Sequence, residues 1–242
     1  MGVVSPLIVF IGCLLAAAPD ATNEAPPAMY PQLTAYIEQR IAEFDRIPMS
    51  RRERLEEIVR YVSECRAAGK PARLVFVCTH NSRRSHFSQL WAQAAAIHYG
   101  VPSVFSYSGG TEATAFNPRA VAAVERAGFR VESGGDDVNP VYFVRLGDAI
   151  RPLACFSKPY THAPNPRQDF CAVMVCSDAD EKCPTVAGAA ARVALPFDDP
   201  KAFDGTPQEA AKYDERCRDI AREMLWVFSR VARSAQTESS SS

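Results

Sequence analysis

The feature that most constrains this chain is the stretch over residues 73–100, RLVFVCTHNSRRSHFSQLWAQAAAIHYG. Four apolar residues, Leu74-Val75-Phe76-Val77, run straight into Cys78. After a short polar loop, Phe87, Leu90, Trp91, Ala94, Ala95 and Ile97 recur near helical spacing. The pattern predicts strand, loop, helix. The loop opens on Cys78 and closes on Arg84 and Ser85, so a thiol and a guanidinium frame a run of backbone N–H groups at a helix N-terminus. Amides of a curled loop and the positive end of a helix dipole hold a tetrahedral anion, and the planar fork of Arg84 grips two of its oxygens. Thr79, His80, Asn81, Ser82 and Arg83 supply the rest of that loop, with Asn81 expected to fix its backbone through side-chain hydrogen bonds. Such surroundings lower a thiol from about 8.5 to roughly 3.5–7.5 and make it nucleophilic at neutral pH. Ser85 is placed to donate its hydroxyl to the sulfur. The plain alternative is a buried cysteine that merely ends a strand.

The remaining chain is long enough, at 242 residues, for one substantial domain with extensions. A net charge of −1 excludes a basic nucleic-acid surface, and Arg51-Arg52-Glu53-Arg54 is a solvated helix face because its charges are mixed. Eight cysteines are too few per residue for a small disulfide scaffold, and none has zinc spacing, so no metal site is expected.

Residues 3–18, VVSPLIVFIGCLLAAA, form an apolar run too short to span a membrane, ending in small residues as export signals do. Export, with lipid attachment at Cys13 as a lesser option, is the expectation for residues 1–27. Residues 28–70 predict a helical hairpin, with helices over 30–44 and 50–68 and a capping box at Ser50 and Glu53. A catalytic domain follows over 71–233. Strands are expected over 104–107, 141–146, 152–157, 171–176 and 192–197, with a turn at Ser108-Gly109-Gly110-Thr111, a helix over 119–127 opened by Asn117-Pro118 and stopped by Gly128, and a last helix over 207–231. The alternation of strand and helix predicts an α/β fold with a doubly wound, mostly parallel sheet and helices on both faces, binding its ligand at the carboxyl ends of the strands. The serine-rich residues 234–242 are expected to be a disordered tail.

Cys78-x5-Arg84-Ser85 after a strand, with Asp199-Pro200 far downstream, resembles the low-molecular-weight protein tyrosine phosphatase superfamily. The resemblance implies that Cys78 attacks the oxyanion centre, Arg84 holds its oxygens and Asp199 is a general acid. Read alone, Asp198-Asp199-Pro200 is also a helix-capping turn. Cys176-Ser-Asp-Ala-Asp-Glu-Lys-Cys183-Pro184 and Phe197-Asp198-Asp199-Pro200 resemble the thioredoxin-coupled arsenate reductases of that superfamily. That likeness implies a relay from Cys78 to Cys176 to Cys183, no bound cofactor, and thioredoxin as the external reductant. A structural disulfide between Cys176 and Cys183 is the alternative for the pair.

Two loop positions depart from the family: His80 stands where glycine is usual and Arg83 where cysteine is common. A side chain at 80 restricts φ, so His80 either sits strained or points outward. Arg83 adds positive charge for oxyanion capture. Three functions are thereby left open: arsenate reduction, phosphotyrosine hydrolysis through a cysteinyl-phosphate, and a non-catalytic oxyanion-binding or redox-sensing module. His86 and His98 are expected to pack or face solvent, while Cys65, Cys155, Cys171 and Cys217 are expected to fill apolar space.

Overall fold

The computed structural model describes residues 27–135 and 138–239. The export segment lies outside the described residues, apart from Pro27. Among the described residues no helix is long and apolar enough to cross a membrane.

The chain forms α1 (Pro31–Ile41), α2 (Met49–Ala67), β1 (Ala72–Cys78), α3 (Arg84–His98), β2 (Val104–Gly110) and α4 (Pro118–Arg126). Then come β3 (Arg130–Ser133), β4 (Tyr142–Arg145), β5 (Leu153–Cys155), β6 (Phe170–Met174), α5 (Ser177–Lys182), β7 (Ala189–Ala194) and α6 (Glu209–Ser239). Four strands make a parallel sheet in the order β2-β1-β6-β7. Leu74, Val75, Phe76 and Val77 of β1 and all of Cys171 to Met174 in β6 are fully buried, as central strands covered by helices must be. The chain passes from β1 to β2 on one side and later returns to β6 on the other side of β1, so the crevice at the carboxyl ends of β1 and β6 is the place where such a sheet binds ligands.

The N-terminal helices share this core. Leu33 and Ile37 of α1 and Leu55, Ile58 and Val62 of α2 are fully buried in the same apolar cluster as β1. Arg51 fastens α2 to α6 by two hydrogen bonds to the Glu223 carboxylate, at 2.9 and 2.7 Å, and donates a third to the Pro196 carbonyl.

The fold departs from the sequence reading in several places, among them a last strand at Ala189–Ala194 instead of 192–197 and a first helix that ends at Ile41. The second helix starts at Met49, because the Pro48 carbonyl accepts from the N–H groups of both Arg51 and Arg52; Pro48 is the N-cap, without a side-chain cap, and Ser50 forms no capping box. Ser108, Gly109 and Gly110 continue β2 instead of turning, since they pair with Phe76, Val77 and Cys78. Cys176 is not a strand residue but the N-cap of α5. Residues 130–155 build a second, antiparallel sheet, β3-β4-β5. Finally, α6 runs past Arg233 to Ser239, into the expected tail, where Ala235, Gln236 and Glu238 are good helix formers.

Candidate active site

Cys78 is the last residue of β1, and the loop that follows is held from outside at nearly every carbonyl. The Cys78 carbonyl accepts from Thr111 N–H, that of Thr79 from Glu112 N–H, and that of Ser82 from Asn117 N–H. The His80 carbonyl accepts from the hydroxyls of Ser157 at 2.9 Å and Thr114 at 3.2 Å. In a trans peptide the N–H points opposite to the preceding C=O. With the carbonyls of 78, 79, 80 and 82 turned outward, the amides of Thr79, His80, Asn81 and Arg83 face the interior of the loop. Inward-facing amides at the start of a helix have the geometry that suits an anion.

Asn81 sets the curl. It is fully buried, with φ +44°, a conformation asparagine tolerates better than most residues. Its Nδ2 donates to Ser85 Oγ at 2.9 Å and its Oδ1 accepts the Lys158 backbone N–H at 2.9 Å. Because Ser85 Oγ already accepts from Asn81, its own hydrogen is free for Cys78 Sγ, 3.1 Å away. His80 does not carry the positive φ; its side chain points outward, with Nε2 3.7 Å from the Glu112 carboxylate.

The mouth of the loop is lined by Cys78, His80, Ser82, Arg83, Arg84 and Asp199. Arg83, expected to reach for an oxyanion, instead makes a bidentate pair with Asp199, Nε to Oδ1 at 2.8 Å and Nη2 to Oδ2 at 3.2 Å. Two parallel charge-assisted bonds to a carboxylate explain that preference. Arg84 Nη2 also donates to Asp199 Oδ2 at 2.8 Å and Nη1 to the Phe197 carbonyl at 2.9 Å. Its Nε is buried without a partner, a donor left for a ligand. Asp199 caps the short 3-10 turn Pro200–Phe203 as well, accepting from Lys201 N–H, which is the capping geometry expected of Asp199-Pro200. Its neighbour Asp198 is exposed, 3.6 Å from Arg216.

Burial alone would raise the Asp199 carboxyl, but Arg84 and Arg83 outweigh it and hold it below its ordinary value of 3.8. A carboxyl depressed on folding contributes stability that is fully present above the ordinary value and lost as pH falls through the depressed one. Asp199→Asn is therefore expected to flatten the acid limb of Tm against pH below about pH 4, while changing Tm less at pH 3 than at pH 7. An equal loss at both would remove the charge argument.

Cys176 stands beside the loop. Val175 N–H donates to the Val77 carbonyl, which brings the end of β6 level with the end of β1. The Cys176 thiol is buried, 3.5 Å from Thr79 Oγ1, and accepts from Ala179 N–H. Cys183 lies at the other end of α5 and is half-buried. Both are free thiols, as are Cys65, Cys78, Cys155, Cys171 and Cys217. Burial pushes Cys155, Cys171 and Cys217 up to about 12, which suits inert packing. His86 is fully buried, stacked on Phe116 and 3.3 Å from Ser108 Oγ, and burial holds its imidazole neutral, well below the ordinary range.

Sequence reasoning missed the buttress from the segment after β5: Ser157 and Lys158, which hold His80 and Asn81. No local pattern marks them, because their contacts join residues 77 positions apart.

No family model matches the chain. An arsenate reductase of Bacillus licheniformis is 29% identical over 155 residues, which is 64% of this chain and 93% of that protein. An arsenate reductase of Bacillus subtilis is 27% identical over 160 residues, 66% of this chain and 96% of that protein. Among solved structures, a low-molecular-weight phosphotyrosine phosphatase of Vibrio cholerae superposes with TM-score 0.44 at 12% identity, covering 69% of this chain and 98% of that one. A thioredoxin-dependent arsenate reductase of Corynebacterium glutamicum gives TM-score 0.38 at 20% identity, covering 80% and 84%. Most of the length of the bacterial reductases is matched in sequence. What the chain is similar to in sequence, over about two thirds of its own length, is the bacterial arsenate reductases.

Proposed function

We propose that this protein reduces arsenate to arsenite, with Cys78 as nucleophile and Cys176 and Cys183 as a disulfide relay. The observation that carries this reading is the Cys176 thiol 3.5 Å from the hydroxyl of Thr79, the residue next to Cys78. A phosphatase needs one thiol in its loop; a reductase needs a second that can reach the first.

The Cys78 thiolate attacks arsenic, the S–As bond forms, and an As–O bond breaks with loss of hydroxide. The inward amides and the free Arg84 Nε favour the crowded anion. Attack of the Cys176 thiolate on the Cys78 sulfur then forms an S–S bond. The electron pair of the S–As bond passes to arsenic, which leaves as arsenite and takes up protons from solvent. Arsenic(V) is reduced and two thiols are oxidised. Cys183 next attacks Cys176, which frees Cys78 and moves the disulfide to the two ends of α5.

That last transfer requires a change of shape. Seven residues of helix rise roughly 10 Å, and a disulfide needs Cα atoms within about 7 Å. Helix α5 must therefore unwind for Cys176 and Cys183 to join. It is short and is held by Arg192, which donates to the Asp180 carbonyl and carboxylate and to the Cys183 carbonyl. The disulfide calls for an external dithiol, and thioredoxin has the chemistry for it.

The second reading is a phosphatase, favoured by the position of Asp199 at the loop mouth. Single-turnover reactions with arsenate and with an aryl phosphate separate the two. Wild type is expected to release one arsenite per enzyme and end with a Cys176–Cys183 disulfide. Cys176→Ser should stop at the Cys78 adduct, and Cys183→Ser should end with a Cys78–Cys176 disulfide. Arsenite release undiminished in both variants would remove the relay. Aryl phosphate turnover alone would establish the phosphatase, and phosphate binding without turnover of either substrate would leave an oxyanion-binding module.

A further inference from the structure

We propose that Arg83 sets the reaction class of this loop: it holds Asp199 as an ion-paired carboxylate at the mouth, denying an aryl phosphate the proton that its leaving oxygen needs. The inference rests on the reading of Cys78 as the nucleophile and deepens it to substrate choice.

Arg83 is buried at the N-cap of α3, and its fork is taken up by Asp199 with bonds of 2.8 and 3.2 Å. Arg84 adds a third charge-assisted bond at 2.8 Å, and Lys201 N–H a fourth contact from the turn of Asp199 itself. The other groups around the carboxylate are Tyr213 of α6, whose hydroxyl donates to Asp204, and His80 and Cys78 across the mouth. Asp198 points to solvent and toward Arg216 of α6. Two cations on one carboxylate, with no second acid hydrogen-bonded to it among the described residues, favour the ionised form.

The two candidate reactions differ in what the leaving oxygen carries. When the thiolate attacks an aryl phosphate, the S–P bond forms and the P–O bond breaks toward the aryl oxygen, which departs with the electron pair and no proton. A protonated Asp199 would supply one, becoming a carboxylate; such general acids contribute 10²–10⁴-fold. When the same thiolate attacks hydrogen arsenate, the departing oxygen is already a hydroxide that bears its own hydrogen. An ionised Asp199 therefore penalises the first reaction far more than the second.

Arg83→Met tests this with a series of aryl phosphates whose phenols span a range of acidity. In wild type, kcat/KM is expected to fall steeply as the phenol becomes less acidic, the signature of an unassisted leaving group. In Arg83→Met the dependence should flatten, with phenyl phosphate gaining about tenfold and 4-nitrophenyl phosphate little. The gain is expected below the full range because Arg84 still faces the carboxylate. Adding Asp199→Asn to Arg83→Met should abolish the gain. In wild type the ratio of phenyl to 4-nitrophenyl phosphate turnover should rise as pH falls, and in Arg83→Met that rise should come at higher pH. A purely structural role for Arg83 would move both substrates together. The same leaving-group dependence in wild type and Arg83→Met, no aryl phosphate turnover in the variant, or a gain that survives Asp199→Asn would each overturn the proposal. Arg83→Gln repeats the test if the methionine variant does not fold. These readouts do not involve arsenite, so the proposal and the reductase reading fail independently; loss of all turnover is assigned to the nucleophile by Cys78→Ser.

Discussion

Cys78→Ser is expected to abolish arsenite formation and any aryl phosphate hydrolysis, by at least about 10⁴-fold, the scale seen when a nucleophile acting in concert with its neighbours is removed. The physical reason is that a hydroxyl does not ionise at neutral pH, whereas the thiol ends β1 in front of inward-facing amides, with Ser85 Oγ 3.1 Å from its sulfur. Serine is nearly isosteric and the loop is held from outside through its carbonyls, so the fold and the anion site are expected to survive. Single-turnover assays give the first half, and calorimetric titration with inorganic phosphate gives the second. Turnover within tenfold of wild type would mean that another group is the nucleophile. Loss of phosphate binding together with turnover would mean that the thiol shapes the loop as well as reacting in it.

Gly110→Ala is expected to cost about 1–3 kcal/mol of stability, as overpacking of a closely packed site does, and to weaken phosphate binding by about tenfold or more. Gly110 ends β2 directly opposite Cys78. A Cβ there would lie 2.1 Å from the Glu112 carbonyl oxygen, 2.7 Å from that of Thr79 and 2.8 Å from the Asn81 nitrogen. All three are backbone atoms, two of them in the oxyanion loop, so no side chain can swing aside to make room. Gly69→Ala is the control: with φ +63° but nothing within 4 Å of its Cβ, it should lose about 1 kcal/mol from backbone strain and leave phosphate affinity unchanged. Chemical denaturation and phosphate titration of both variants check the pair. Equal effects on affinity would show that the close approach at Gly110 does not govern the loop.

The two glycines also show where reading along the chain stops. Ser108-Gly109-Gly110-Thr111 has the composition of a turn, and only the register of β2 against β1 makes it a strand whose missing side chains admit the loop and Tyr160. The antiparallel sheet over residues 130–155 was legible as strands 141–146 and 152–157, but β3 was not, because its four residues are mostly exposed and carry no alternation. The capping box at Ser50 lost to the Pro48 carbonyl for a local reason, a shift of two residues at the helix start.

What the sequence by itself determined was the local chemistry: an apolar strand ending in a thiol, a loop of five polar residues, and an arginine and serine opening an amphipathic helix. Those follow from short-range rules, since strand period, helix period and the local side-chain hydrogen bonding of asparagine act within a few residues. The tertiary structure decided the rest. It turned four carbonyls of the loop outward onto Thr111, Glu112, Thr114, Asn117 and Ser157, set the Cys176 thiol beside Thr79, and gave the fork of Arg83 to Asp199 instead of to the open loop. Each of these joins residues that are distant in the chain, and a bidentate ion pair between positions 83 and 199 has no local signature; it forms only when the ends of parallel strands meet at one crevice.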